Sequence, residues 1–225
     1  SDTARSPPSA IVERHWSRRR CGRQNGHVTY HPHHDHQHTH DDQATPADYR
    51  TWVKSQRLSK DQYFKRSPGS PIPTEERADF GGLHYYAVKP ELRFEYLELG
   101  PIPAGLEEEI HVQTSDGAVR HGRRAGTFDF TIDDVGYQLV ALQLVGSPDD
   151  ELFVPFRDAT NAVETYEAGR YLDLAAQNDG TYDLDFNLAY SPFCAYAPAY
   201  SCPLPPMENW LNVRIEAGER NPLGG

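Results

Sequence analysis

From Gly81-Gly82 onward the apolar side chains of this chain recur at every second position, and no later stretch returns to a helical period. A period of two sends successive side chains to opposite faces of an extended strand, so this part of the chain must be built as sheet. Ile110, Val112 and Thr114 alternate with polar residues, Ser115-Asp116-Gly117 forms a tight turn, and the chain returns through Val119. Phe128, Phe130 and Ile132 alternate again, Tyr137 to Val145 reads as a long apolar strand, and Leu152 to Phe156 as another. Arg170–Leu174 and Tyr182–Leu188 flank Gln177-Asn178-Asp179-Gly180, a strong hairpin signal, and Trp210–Ile215 reads as the last strand. The pattern predicts a mainly β domain of about eight or nine antiparallel strands, arranged as a barrel or a sandwich. Crossover helices between strands are missing from the pattern, which excludes a parallel α/β fold.

One helix precedes the strands. Thr45 suits an N-cap, Pro46 the first helical position, and Asp48 stands three residues beyond the cap. Tyr49, Trp52, Val53, Tyr63 and Phe64 then share one face, and Ser67-Pro68-Gly69 ends the run. A short second helix is expected after Thr74, with Glu75 and Glu76 in its first turn.

The charge of the chain divides at about residue 45. Residues 1–45 contain eight of the 11 His, six Arg, no Lys and few apolar side chains. Such a segment cannot bury enough apolar surface to offset its chain entropy and is expected to be a disordered tail. Residues 46–225 hold 28 acids against 16 bases and form the single folded domain. The net charge of −11 argues against a nucleic-acid partner. No apolar run approaches the roughly 18–20 residues of a membrane-crossing helix. Arg18-Arg19-Arg20 is not followed by the apolar stretch of an export signal, so the expected location is the cytoplasm, with reduced thiols.

The densest chemistry lies between Phe153 and Glu219. Its motifs are Pro155-Phe156-Arg157-Asp158-Ala159-Thr160, Thr165-Tyr166, Gly169-Arg170-Tyr171-Leu172 and Asp185-Phe186-Asn187 with Ala189-Tyr190. Cys194-Ala195-Tyr196, Cys202-Pro203-Leu204-Pro205-Pro206, Glu208-Asn209 and Ala217-Gly218-Glu219 follow, and Lys60-Asp61 with Phe64 and Phe80-Gly81-Gly82-Leu83 are weaker echoes before them. On these residues the chain resembles the bacterial and archaeal family known as domain of unknown function 1684, over about residues 48–220. The resemblance implies no particular reaction, and the His-rich tail lies outside it.

Read for chemistry, Asp183, Asp185 and Asn187 share one strand face, which suits a general base or a hard cation. The alternative is a solvated face. Asp158 and Thr160 fit either a site or an Asx-type turn. Tyr190, Tyr196 and Tyr200 decorate a loop stiffened by five prolines between 192 and 206, a good pocket wall or a plain lid. The favoured reading is a small-molecule site, enzymatic or not, for a ligand bearing a carboxylate or phosphate. Its walls would be Asp158, Tyr166, Arg170, Asn187, Tyr190 and Tyr196, with Arg170 as the anion anchor and Asp185 or Glu208 as acid/base. A second reading is metal handling. His31, His33, His34, His36, His38 and His40 would bind a divalent transition metal, and Cys194 with Cys202 would offer a further site. Those two thiols otherwise pack among aromatics or form a disulfide. A third reading is an interaction domain without chemistry.

Overall fold

The computed structural model describes residues 45–148 and 151–222, so the His-rich segment lies outside the described residues. Helix α1 (Pro46–Arg66) begins with a complete capping box: the Thr45 hydroxyl accepts from Asp48 N, and the Asp48 carboxylate accepts from Thr45 N. Seven strands follow among the described residues: β1 (Arg93–Leu97), β2 (Glu109–Gln113), β3 (Val119–Ile132), β4 (Val135–Leu144), β5 (Glu151–Phe156), β6 (Arg170–Ala175) and β7 (Tyr182–Asp185). They form two antiparallel sheets, one of order β2-β3-β4-β5-β6 and a pair β1-β7.

The mainly β, antiparallel expectation holds, but the closed-barrel alternative does not. The five-stranded sheet is open, with β2 and β6 as its edges. Both edges are covered by loop backbone instead. Tyr171 and Tyr190 exchange two hydrogen bonds of 2.9 and 3.0 Å across the β6 edge. At the β2 edge, Leu204 N donates to Gln113 O at 2.7 Å. This covering removes the unpaired groups that an exposed edge would present.

Other differences have local causes. The segments around Val119 and Phe128–Ile132 are one 14-residue strand, β3, which bulges between Arg124 and Gly126. A Cβ at Gly126 would lie 2.3 Å from the Gly100 carbonyl oxygen, so the close approach of residues 99–100 requires glycine. Asp133 and Asp134 close the β3–β4 hairpin, both at positive φ. The turn at Gln177–Gly180 forms, but β7 leaves β6 and pairs with β1, then ends in a 3-10 turn at Phe186–Leu188. Residues 210–215 are not a strand. The segment makes an isolated parallel bridge at Trp210 to Arg157, and Ile215, with Ala217 and Glu219 just beyond it, gives its carbonyl to a guanidinium rather than to a ladder. The segment after Thr74 is a series of turns.

The central strands of the large sheet are covered on both faces, with β5 buried at every residue, while one face of the β2–β3 hairpin stays exposed. One face packs Phe128, Phe130, Leu139, Val154 and Leu172 against Leu184 and Phe186 at the β1–β7 side. The other packs Ile110, Val112, Leu142, Phe153 and Tyr171 against Phe193, Cys202 and Phe64 of α1. The loop from Tyr190 to Pro206 therefore crosses this second face from the β6 edge to the β2 edge.

Candidate functional site

The motif residues are polar, yet most of them are buried, and their partners show what they do there. Arg170 is fully buried (0% exposed) and its Nη2 meets Asp158 Oδ2 at 2.5 Å. The same guanidinium donates to the carbonyls of Ile215 (2.8 Å), Glu219 (3.1 Å) and Ala217. Asp158 uses its other oxygen to accept from Thr160 N and Thr160 Oγ1, at 2.6 and 2.5 Å. This pair fastens the C-terminal segment to β6.

Two asparagine amides pair with main chain, one with strands β4 and β5 and one with the loop at Lys89. Asn209 Nδ2 donates to Val140 O and Pro155 O, both at 2.8 Å, and its Oδ1 accepts from Val140 N. It plugs β4 against β5 beside a proline that has no N–H to give. Asn187 Nδ2 donates to Lys89 O, and its Oδ1 accepts from Lys89 N at 2.7 Å.

Helix α1 docks through a stripe that is half polar. Tyr49 donates to both Asp185 oxygens (2.9 and 2.7 Å), and Lys60 Nζ pairs with Glu219 Oε1 at 2.5 Å. Arg57 reaches Tyr86 O and Asn187 O, while Val53 and Phe64 are fully buried between these contacts. Burial raises the pKa of Asp185 above its ordinary value, against the hydrogen bonds from Tyr49 and Asn187. Tyr196 donates to Glu219 Oε2 at 2.9 Å and packs on Phe64. Glu208 takes two hydrogen bonds from Arg124, at 2.8 and 2.7 Å. Arg170 with Asp158, and Tyr196, thus meet only through Glu219, while Asp185 with Asn187, and Glu208, are held by partners elsewhere.

Tyr190 is the exception. Together with Cys202 it lines a partly open cavity of about 110 Å³ between the sheet and the Pro-rich loop. Four strands each supply a wall: Arg120 from β3, Leu144 from β4, Phe153 from β5 and Tyr171 from β6. The loop supplies Phe193, Tyr200 and Pro203 among others. The Tyr171 and Tyr190 rings meet edge to face at 5.7 Å, and Phe153 meets Tyr171 likewise at 4.8 Å. Their hydroxyls are anchored elsewhere, Tyr190 on Asp173 at 2.6 Å and Tyr171 on Pro203 O, so the walls are held rigid. Arg120 is the cation of this cavity. Among the described residues its guanidinium has one hydrogen bond, from Nη2 to Ser201 O, and that is long at 3.4 Å.

Beside Cys202 lies a thiol cluster. Cys194 N donates to Cys202 Sγ at 3.3 Å, and the Tyr166 hydroxyl donates to Cys194 Sγ at 3.7 Å. Hydrogen bonding from Cys202, with Tyr166 and Ser115 adding to it against burial, lowers the Cys194 thiol to about 6. Cys202 moves the other way, raised by the same bond to Cys194 and by burial.

Sequence reasoning missed Arg120, although a signal was present. Period two puts Arg120 on the inward face of β3, directly opposite Val112 of the core. A cation on an inward face is unusual enough to mark a site.

Fold and cavity define a class: an open antiparallel β domain, strapped by a Pro-rich loop over an aromatic pocket and braced by one helix. The chain belongs to the family described as protein of unknown function DUF1684, whose model matches residues 78–220. It is similar to the uncharacterised protein from gene locus rrnAC0354 of Haloarcula marismortui, solved in solution by NMR. The two are 40% identical with a TM-score of 0.57, and the match covers 77% of this chain and 95% of that one. No curated protein matches. Among the described residues, no helix is long and apolar enough to cross a membrane.

Proposed function

We propose that this domain binds a compact small molecule with an apolar, ring-sized body and a carboxylate or phosphate group. The observation that carries this reading is the guanidinium of Arg120, weakly engaged at the wall of a cavity lined mainly by aromatic and aliphatic side chains. A cavity of about 110 Å³ is of the order that accepts one small ring, since a ~150 Å³ apolar cavity holds benzene. Rigid walls favour binding because little side-chain freedom is left to lose. A charge-assisted hydrogen bond from Arg120 contributes roughly 1.5–3 kcal/mol to an anionic ligand. Tyr190 is the expected wall residue that this reading keeps, beside Tyr171, Cys202 and Pro203 of the same motifs; Arg120 takes the anchoring role expected of Arg170.

Benzoate and its neutral isostere benzamide test the reading. Benzoate is expected to shift amide resonances of residues 144–147, 193 and 200–202, with benzamide at least about tenfold weaker. Equal binding of the two would remove Arg120 from the account, and benzoate shifts confined to other residues would remove the cavity.

A further inference from the structure

We propose that the outward face of the β2–β3 hairpin is a binding site for a divalent transition-metal ion, held by Glu109, His111 and His121. The site lies outside the cavity and does not depend on it. Glu109 and His111 stand two residues apart on β2 and so project from one face, and His121 of β3 is the register partner of His111. Cross-strand neighbours on one face are about 4.5–5.5 Å apart at Cβ, which is the spacing that lets two imidazoles share an ion.

The side chains use that placement. The His111 and His121 rings lie with centroids 4.5 Å apart, edge to face. Glu109 Oε1 is 3.3 Å from His111 Nε2. One ligand atom from each of the three lies within 4.8 Å of the others. An ion with bonds of about 2.0–2.2 Å fits among them after small rotamer changes. His111 and Glu109 have 58% and 78% of their side chains exposed, so nothing resists those changes.

The donor set selects the metal class. Two imidazole nitrogens and one carboxylate oxygen suit Zn²⁺, Co²⁺, Ni²⁺ or Cu²⁺, and they leave positions for water or an outside ligand. Magnesium and calcium prefer all-oxygen shells. One charge opposes binding: Arg123 is the register partner of Glu109, although its guanidinium is drawn to Gln143 Oε1 at 2.5 Å.

The test must separate this site from the six histidines at 31–40. It uses the full chain with His31, His33, His34, His36, His38 and His40 all replaced by Gln, titrated with Co²⁺. A single equivalent is expected to bind, with paramagnetic broadening centred on residues 109–113 and 119–123. His121→Ala and His111→Ala should each abolish that equivalent, and His84→Ala should keep it. These side chains project into solvent, so folding is checked simply by an unchanged thermal midpoint. Binding that survives His121→Ala, the absence of any bound equivalent, or an intense thiolate-to-cobalt band placing the ion at Cys194 and Cys202 would each overturn the proposal.

Discussion

Replacing Asp158 by Ala would leave the Arg170 guanidinium buried without its counter-charge. Both side chains are fully inaccessible, and the pair is 2.5 Å apart. Removing one partner of such a pair costs about 3–5 kcal/mol, because the remaining charge stays desolvated. The substitution also removes the acceptor that orders Thr160 N and Oγ1. A total near 4 kcal/mol is a large part of the roughly 5–15 kcal/mol that holds a domain folded. With a urea m-value of about 2 kcal/mol/M, the unfolding midpoint should fall by about 2 M. Asp158→Asn keeps the turn acceptor and should lose about half as much. Arg170→Met is worse. It strands the carbonyls of Ile215, Ala217 and Glu219 as well as the carboxylate, at about 1–3 kcal/mol for each carbonyl, and should yield no folded protein. The assay is equilibrium unfolding in urea followed by the fluorescence of Trp52 and Trp210. A loss below about 1 kcal/mol for Asp158→Ala at unchanged m would refute the architectural role of the pair.

Two further results are expected. Alkylation of Cys194 by iodoacetamide, followed by mass mapping of its peptide, should show a half-maximal rate near pH 6, set by the bond from Cys202; Cys202→Ala, which removes that donor, should move the midpoint upward. Burial raises Asp185 above its ordinary pKa, so the folded state holds its proton more tightly than the unfolded state does. The contribution of this group to stability therefore falls as pH rises from the unfolded value through the folded one. Asp185→Asn should flatten that decline in urea midpoints measured between pH 4 and 7, while still accepting from Tyr49.

The parts of the fold visible in the sequence are those governed by neighbours along the chain. The Thr45–Asp48 cap, the Ser115–Gly117 and Gln177–Gly180 turns, and the alternation at Ile110–Val112 and Phe128–Ile132 are all local. Strand partnership is not local. The residues Tyr182–Asp185 alternate equally well whether they pair with β6 or with β1, and the choice lies with the distant segment Arg93–Leu97. The motif polars misled for a related reason. Asp, Asn, Arg and Glu are mostly exposed in proteins, so a cluster of them suggests a site wall. Here Asn187 and Asn209 replace backbone partners, and Glu219 receives Lys60 from α1. Nothing local announces that the Asn187 amide will face the backbone of Lys89, 98 residues away. The cavity is half visible: its walls come from four strands and a loop, the stiff Pro- and Tyr-rich loop points to one wall, and the inward phase of Arg120 to the other.

The cavity's anion selectivity is tested most directly by isothermal titration of benzoate into the native chain and into Arg120→Gln. Arg120 is half-buried and lightly bonded, so its replacement should leave the thermal midpoint nearly unchanged. Loss of a charge-assisted bond of roughly 1.5–3 kcal/mol predicts benzoate affinity weaker by about tenfold to a hundredfold in the variant. Equal affinity for the two proteins, or no binding to the native chain, would contradict a pocket built for an anionic ring-sized ligand.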